Sequence, residues 1–237
     1  MSVEALSRRF YADRKFDGTR AFYDWVREYV SPASKLLNLG AGPPTMSPVR
    51  ILKGQVAEVV GADVDACVLE NGELDRAVVI KDGKLPFPDG YFDVALSDYV
   101  LEHVENPRQF LAEVVRVLKP GGSYLFRTPN IYHYVAIISA LTPHWFHSYV
   151  ANRARLNPEG SQEPWPTYYR MNSRAALTRL SREAGFSSVE TRMIEAEPSY
   201  LQFHAAPYLL GVAYERMVNS TEMLGGLRSN IFGRMRK

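Results

Sequence analysis

The chain is poor in cysteine. One residue, Cys67, in 237 excludes an internal disulfide framework and a cysteine-rich zinc module. Cys67 itself reads as a small core residue. A strong charge of either sign is also missing. Against 26 acidic side chains stand 28 basic ones, a formal net of +2, too little to argue for a nucleic-acid partner, and none is expected. No apolar run approaches the ~20 residues of a membrane span. The first residues hold no apolar core of signal-peptide length, so a cytoplasmic location is expected. Hydrophobic residues at 46% and charged residues at 23% exclude wholesale disorder. At ~150 residues per domain the length fits one large domain or two small ones, and it needs no metal to hold a core.

What charge there is falls unevenly. Residues 228–237 carry Arg228, Arg234, Arg236 and Lys237 without an acid, the composition of a solvated tail. Further back, Phe22, Trp25, Val26, Tyr29 and Val30 recur at helical spacing, predicting a helix over 20–30 that Ser31 and Pro32 end. Short apolar runs follow at 35–40, 57–63, 76–82, 92–98 and 122–128, each with the look of a strand buried on both faces. Between the last two lies a helix capped by Asn106, started by Pro107 and striped by Phe110, Leu111, Val114, Val115 and Leu118. Strands alternating with helices predict an α/β domain with a mostly parallel sheet. Ligands of such sheets sit at the carboxyl ends of the strands, near the switch in strand order.

After Thr128 the order breaks. Residues 129–171 hold Pro129, Pro143, Pro158, Pro164 and Pro166 among many aromatics, and connections this long are often lids. Asn172 or Ser173 then caps a helix that Gly185 closes, followed by a strand at 187–195, an apolar helix near 205–218 and a last strand near 229–236. The division expected is one domain. Residues 1–34 are a helical cover, 35–130 the cofactor-binding half, 131–171 a lid over the acceptor, and 172–237 the closing helices and strands.

Three stretches carry chemistry. Gly40, Ala41 and Gly42 directly follow the first strand, where glycine lets a ligand approach the backbone. About 20 residues on, the second strand ends in Asp63, whose carboxylate suits the two hydroxyls of a ribose. The third glycine of a dinucleotide fingerprint is missing. Downstream lie Asp82, Gly83 and Lys84; then Leu101, Glu102, His103 and Val104; then Leu118, Lys119, Pro120, Gly121 and Gly122. In this order and spacing, over roughly residues 35–130, the chain resembles the class I S-adenosylmethionine-dependent methyltransferases. Within them it is similar to the small-molecule group that includes the ubiquinone/menaquinone biosynthesis methyltransferases.

That resemblance implies a doubly wound, Rossmann-like, mostly parallel seven-stranded sheet with a lid after strand 5. It also implies S-adenosylmethionine as cofactor and S-adenosylhomocysteine as product. Gly40, Ala41 and Gly42 would pass under the methionine part and Asp63 would take the ribose. Val64 would pack on the adenine, Asp82 would receive its amino group with Gly83 beside it, and Ser97 would lie near the sulfonium. The family often has an acid where this chain has Asn38, which keeps an acceptor for the ammonium without a full charge.

A sulfonium methyl is already activated, so positioning and desolvation supply much of the catalysis. A hydroxyl acceptor needs a base in addition. His133, leaving the fifth strand, is the first candidate and His103 the second. Trp145, Phe146, Trp165, Tyr168 and Tyr169 would line the lid around a small or lipophilic acceptor. His144 and His147 do not make a metal site. Two other readings stay open, a nicotinamide-dependent oxidoreductase and a non-catalytic S-adenosylmethionine-binding module. For residues 200–218 there are likewise two readings: a core-packed helix, or a membrane-interface element beside the basic tail, giving peripheral contact.

Overall fold

A computed structural model describes residues 2–13, 16–141 and 165–237. His144, Trp145, Phe146 and His147, with most of the expected lid, lie outside the described residues. The described chain gathers into two compact units. One comprises Met1–Ala21, Pro129–Pro166 and Met193–Asn230; the other comprises Phe22–Thr128, Thr167–Arg192 and Ile231–Lys237.

The larger unit is built on a seven-stranded sheet. Its strands are β1 (Lys35–Leu39), β2 (Glu58–Asp63), β3 (Arg76–Val79), β4 (Phe92–Asp98), β5 (Leu118–Pro129), β6 (Ser188–Ile194) and β7 (Asn230–Arg236), in the order β3-β2-β1-β4-β5-β7-β6. The pairs β1–β2, β1–β4, β2–β3 and β4–β5 are parallel. The chain order reverses between β1 and β4, and this is the switch point where a parallel sheet leaves a crevice. Leu36, Leu37 and Leu39 are all buried, as expected of a central strand covered on both faces.

The flanking helices form where local signals put them. In α1 (Val3–Phe10) the Ser2 side chain caps Ala5. The next helix, α2 (Gly18–Arg27), buries Phe22, Tyr23, Trp25 and Val26; the rings of Phe22 and Trp25 pack on Phe232 of β7. At the start of α3 (Pro107–Val117), Asn106 accepts the Gln109 N–H at 3.2 Å. Leu111, Val114 and Val117 form its buried stripe. Besides α4 (Tyr134–Leu141) there is α5 (Arg174–Ala184), capped by Ser173 and closed by Gly185 at φ 93°. The last helix is α6 (Ala205–Asn219).

Of the C-terminal basic residues only Arg236 is exposed, and the others do not form a solvated tail. Residues 230–236 are an interior strand, because β7 lies between β5 and β6. Arg234 donates to Ser123 Oγ at 3.1 Å, and Lys237 Nζ donates to the Val115 and Leu118 carbonyls at 2.6 and 2.8 Å. In the smaller unit Arg228 is buried and donates to the carbonyls of Val218 and Met193 and to Glu222. Open helix-end and loop carbonyls need donors, and these cations supply them.

In the smaller unit α1 and α6 share a core of Leu6, Tyr11, Tyr208 and Val212. The other face of α6 exposes Leu209, Leu210 and Met217. The core-packed reading of 200–218 therefore holds for one face, and the basic cluster invoked for a membrane interface is engaged elsewhere. No helix among the described residues is long and apolar enough to cross a membrane.

Candidate functional site

Of the sequence-predicted binding residues, Asn38, Gly40, Ala41, Gly42, Asp63, Val64 and Ser97 lie at the carboxyl ends of β1, β2 and β4, while Asp82 and Gly83 follow β3. Register brings them level: Leu39 pairs with Ala62 on one side and with Ser97 on the other. Beyond Leu39 the chain turns through Gly40 at φ 67° and Gly42 at φ 53°, a backbone region that L side chains avoid. At Gly40 a Cβ would lie 2.3 Å from Val100 Cγ2, whereas at Gly42 it would meet nothing within 4 Å. The first glycine admits a neighbour in the protein. The second leaves open space beside the strand ends.

Asp63 holds this turn from the end of β2. Its two carboxylate oxygens accept the N–H groups of Gly42 and Asp65, each at 2.9 Å. A carboxylate has about four acceptor positions, so capacity remains on a half-buried group at the rim. Val64 beside it is 58% exposed, a flat apolar surface next to a carboxylate. Asn71 clamps the turn from below, its amide donating to the Gly42 carbonyl at 2.9 Å and more weakly to Ala41. Asp82 lies past β3 with a positive φ of 53°. Its carbonyl accepts from the Gln109 side chain at 3.1 Å, and a Cβ on the neighbouring Gly83 would run into that amide.

Ser97 is in the right place, but its side chain is committed. It is fully buried, with Oγ 2.6 Å from the Tyr124 hydroxyl, which leaves its backbone as the part facing the strand end. The next residue, Asp98, anchors an ion cluster. Arg127 donates to both of its oxygens, Arg50 Nη1 stands 3.3 Å away, and the Tyr23 hydroxyl hydrogen-bonds to it. Burial opposes the charge on Arg127, yet Asp98 holds its pKa above the ordinary guanidinium value. A cavity of about 50 Å³ adjoins this cluster, lined by Tyr23, Asn38, Gly40, Arg50, Glu73 and Asp98 among others.

The two histidine candidates fall in different units. His103 ends a short turn after β4, next to Glu102. Glu102 is buried, and desolvation raises its pKa although Thr128 donates to it at 3.2 Å. Thr128 in turn accepts from Asn172 at 2.6 Å. The Glu102 carbonyl takes the N–H of Tyr168 at 2.7 Å and of Tyr169 at 3.2 Å, drawing two expected lid rings to the end of β4. Tyr99, also there, is held at φ 58° with the Arg127 guanidinium 4.5 Å from its ring centre. A tyrosine at positive φ is strained, and such strain collects at functional sites.

In the smaller unit His133 is 4% exposed. It packs on Tyr134 at 4.1 Å and Tyr214 at 5.6 Å, with Nε2 3.6 Å from Glu195 Oε2. Burial lowers its pKa to about 4, and burial raises that of Glu195 to about 7. It is an interior imidazole, not one at an open strand end.

Arg50, Asn71, Asp98 and Glu102 were not legible as site residues. Their signal is spatial, since each acts on a partner at least a strand away in sequence. Asp98, beside Ser97, and Glu102, beside His103, stood next to residues already singled out.

Residues 37–126 match the methyltransferase domain family. The demethylmenaquinone methyltransferase of Clavibacter sepedonicus is 32% identical over 179 residues, 68% of this chain and 69% of that protein. The ubiquinone/menaquinone biosynthesis C-methyltransferase of Stutzerimonas stutzeri is 42% identical over 96 residues, 36% of this chain and 37% of that one. Among solved structures, a SAM-dependent methyltransferase from Archaeoglobus fulgidus superposes with a TM-score of 0.56 at 15% identity over 98% of each chain. At that identity the likeness speaks for the fold.

Proposed function

The chain belongs to the class I S-adenosylmethionine-dependent methyltransferases, and from that footing we propose that it methylates a small lipophilic acceptor, holding its donor at the ends of β1, β2, β3 and β4. S-adenosylmethionine is the methyl donor; when bound, it supplies a methyl group made electrophilic by the sulfonium. One observation carries the assignment of the site. Asp63 spends half of its acceptor capacity on the glycine turn and keeps the rest at the rim, beside the exposed Val64. A carboxylate next to an apolar surface suits a ribose joined to an adenine. Open space at Gly42 suits a ligand drawn close to the backbone.

In this reading Asp63 takes the ribose hydroxyls and Val64 packs on the base. Asp82 and Gly83 close over the far end of the base, while Gly40, Ala41 and the backbone of Ser97 line the path of the methionine part. Tyr99, Tyr168 and Tyr169, gathered at the end of β4, would orient an apolar acceptor and exclude water from it. Where the acceptor carries a hydroxyl, His103 would receive its proton. His133 does not take that role here, because its ring is enclosed by Tyr134 and Tyr214. The names of the two curated relatives support a quinone-like ring as the acceptor class.

Thermal-shift titration tests the donor half. S-adenosylhomocysteine is expected to raise the melting temperature, and NAD and NADP are not. A response to the nicotinamide nucleotides alone would replace this reading with an oxidoreductase. For the acceptor half, production of S-adenosylhomocysteine should depend on adding a quinol or phenol with a short prenyl tail. A protein that binds the product yet turns over none of a broad acceptor panel is a binding module instead.

A further inference from the structure

The outer face of α5 is rich in arginine. Arg174, Arg179 and Arg182 stand exposed on it, while the inner face buries Leu177, Leu180 and Ser181. Arg108 of α3 comes alongside, its Nε 3.0 Å from Glu183 Oε2, and Arg179 Nη1 lies 3.2 Å from Glu183 Oε1. One carboxylate thus serves two guanidinium groups, and their hydrogen bonds hold its pKa below the ordinary range. Arg174 and Arg182 meet no carboxylate among the described residues. Four guanidinium groups against one carboxylate leave this face at a net charge of +3.

The placing differs from that of an ordinary solvated helix face. Cations are favoured in the last turn of a helix and disfavoured in the first. Yet Arg174 opens α5, and no acid accompanies it in the first turn. The face is also concave. Arg174, Ala175, Thr178, Arg179, Arg182 and Glu183 line an open groove of about 610 Å³. Thr178 lies one turn from both Arg174 and Arg182, and Ala175 one turn before Arg179. Small side chains therefore floor the groove and guanidinium groups wall it.

A helix suits such a trough. Small residues let two helix axes approach to ~8 Å. Arg174 and Arg182 are two turns apart, ~12 Å along the axis, and carboxylates eight residues apart on a second helix have the same spacing. A planar guanidinium fork pairs with a carboxylate through two parallel bonds. A phosphodiester chain laid along the groove would meet the Glu183 carboxylate. A flat bilayer surface would touch the arginine tips without entering the trough.

We propose that the outer face of α5 docks an acidic helix of a partner protein, its carboxylates on Arg174 and Arg182 and its small side chains over Ala175 and Thr178. None of these residues belongs to the donor or acceptor groups assigned above, so the surface works apart from the chemistry.

Fluorescence anisotropy on the full chain tests this with a labelled alanine-based helical peptide of about 18 residues, bearing glutamates one and two turns apart on one face. The peptide should bind, and more weakly as salt is raised. Arg174→Glu combined with Arg182→Glu should weaken it about tenfold or more, since like charges then face each other. The affinity for S-adenosylhomocysteine should stay within about twofold, which shows that the variant is folded. Should the double reversal melt early, Arg174→Gln with Arg182→Gln carries the comparison. A peptide that binds no better than its scrambled isomer, or equally well to the double variant, overturns the proposal. Tighter binding of a single-stranded RNA through the same arginines overturns it too and reassigns the face to phosphate. So does salt-sensitive adsorption to anionic vesicles that the double variant loses.

Discussion

Asp98 and Glu195 are both buried carboxylates placed at the end of a strand, and their surroundings treat them in opposite ways. In the larger unit, Asp98 closes β4 and meets Arg127, Arg50 and Tyr23. In the smaller unit, Glu195 follows β6 and meets the Ser229 N–H at 2.6 Å and a buried His133. Burial opposes the charge in both cases. Around Asp98 two guanidinium groups, those of Arg127 and Arg50, gather beside a cavity. Near Glu195 burial prevails, and its pKa is pushed up to about 7. One unit keeps its charges paired next to the strand ends where a ligand is expected. In the other, Glu195 and His133 lie buried together, 3.6 Å apart.

The largest effect should come from breaking the first arrangement. Arg127→Met leaves Asp98 buried without its main partner, and removing one member of such a pair costs about 3–5 kcal/mol. Urea denaturation reads this directly. A loss under about 1 kcal/mol would mean that Arg50 and Tyr23 suffice and the pairing is not what separates the two units. Next in size is Asp63→Ala, which should weaken S-adenosylhomocysteine binding at least about tenfold, the worth of ~1.5–3 kcal/mol in charge-assisted contact. The fold should persist, because β2 keeps its pairing with β1 and β3. Unchanged affinity by calorimetry would remove Asp63 from the site.

Glu195→Gln sharpens the other side. A carboxylate whose folded pKa lies near 7, above the ordinary value, binds protons more tightly in the folded chain. It lends stability below its unfolded pKa, and that contribution is lost as pH rises through about 7. The glutamine variant should lack this loss, so that between pH 5 and 8 the wild type's melting temperature falls relative to the variant's by ~5–10 °C. His133, shifted down to about 4, acts in the reverse sense. Its contribution is present above its unfolded pKa and disappears as pH falls toward 4, in wild type and variant alike. Equal slopes for the two proteins above pH 5 would show that Glu195 is charged throughout.

The smallest effect concerns lipid. Arg228, Arg234 and Lys237 are spent on carbonyls and a serine hydroxyl. Any adsorption through Leu209, Leu210 and Met217 should therefore be apolar and indifferent to salt. Co-sedimentation with anionic and neutral vesicles should give the same bound fraction for both. An excess on anionic vesicles that vanishes at high salt would return a basic surface to the helical unit.

Much of the strand-end site was readable because its signals are local. The glycines follow an apolar run by one residue, Asp63 ends the next run, and Asn106, Ser173 and Gly185 stop or start helices through bonds to backbone a turn away. The expected tail failed for the opposite reason. A run of basic residues looks the same whether it is solvated or strung along an interior strand that supplies carbonyls with donors. His133 was placed correctly in sequence, just past β5. Its enclosure by Tyr214 depends on a helix that begins some seventy residues later.

By itself, then, the order of residues determined which segments become strands and helices, the glycine turn and the acid that holds it, since periodicity, caps and short spacings act within a few residues; β5 starts at Leu118, four residues before the expected strand. The tertiary structure alone decided which charges meet. Arg127 reaches Asp98 because β5 lies beside β4, and Arg50 reaches it because the loop after β1 folds back over a strand that comes later in the chain. An ion pair is made by proximity in space, and the sheet order that creates this proximity is a property of the whole packed core, not of any segment in it.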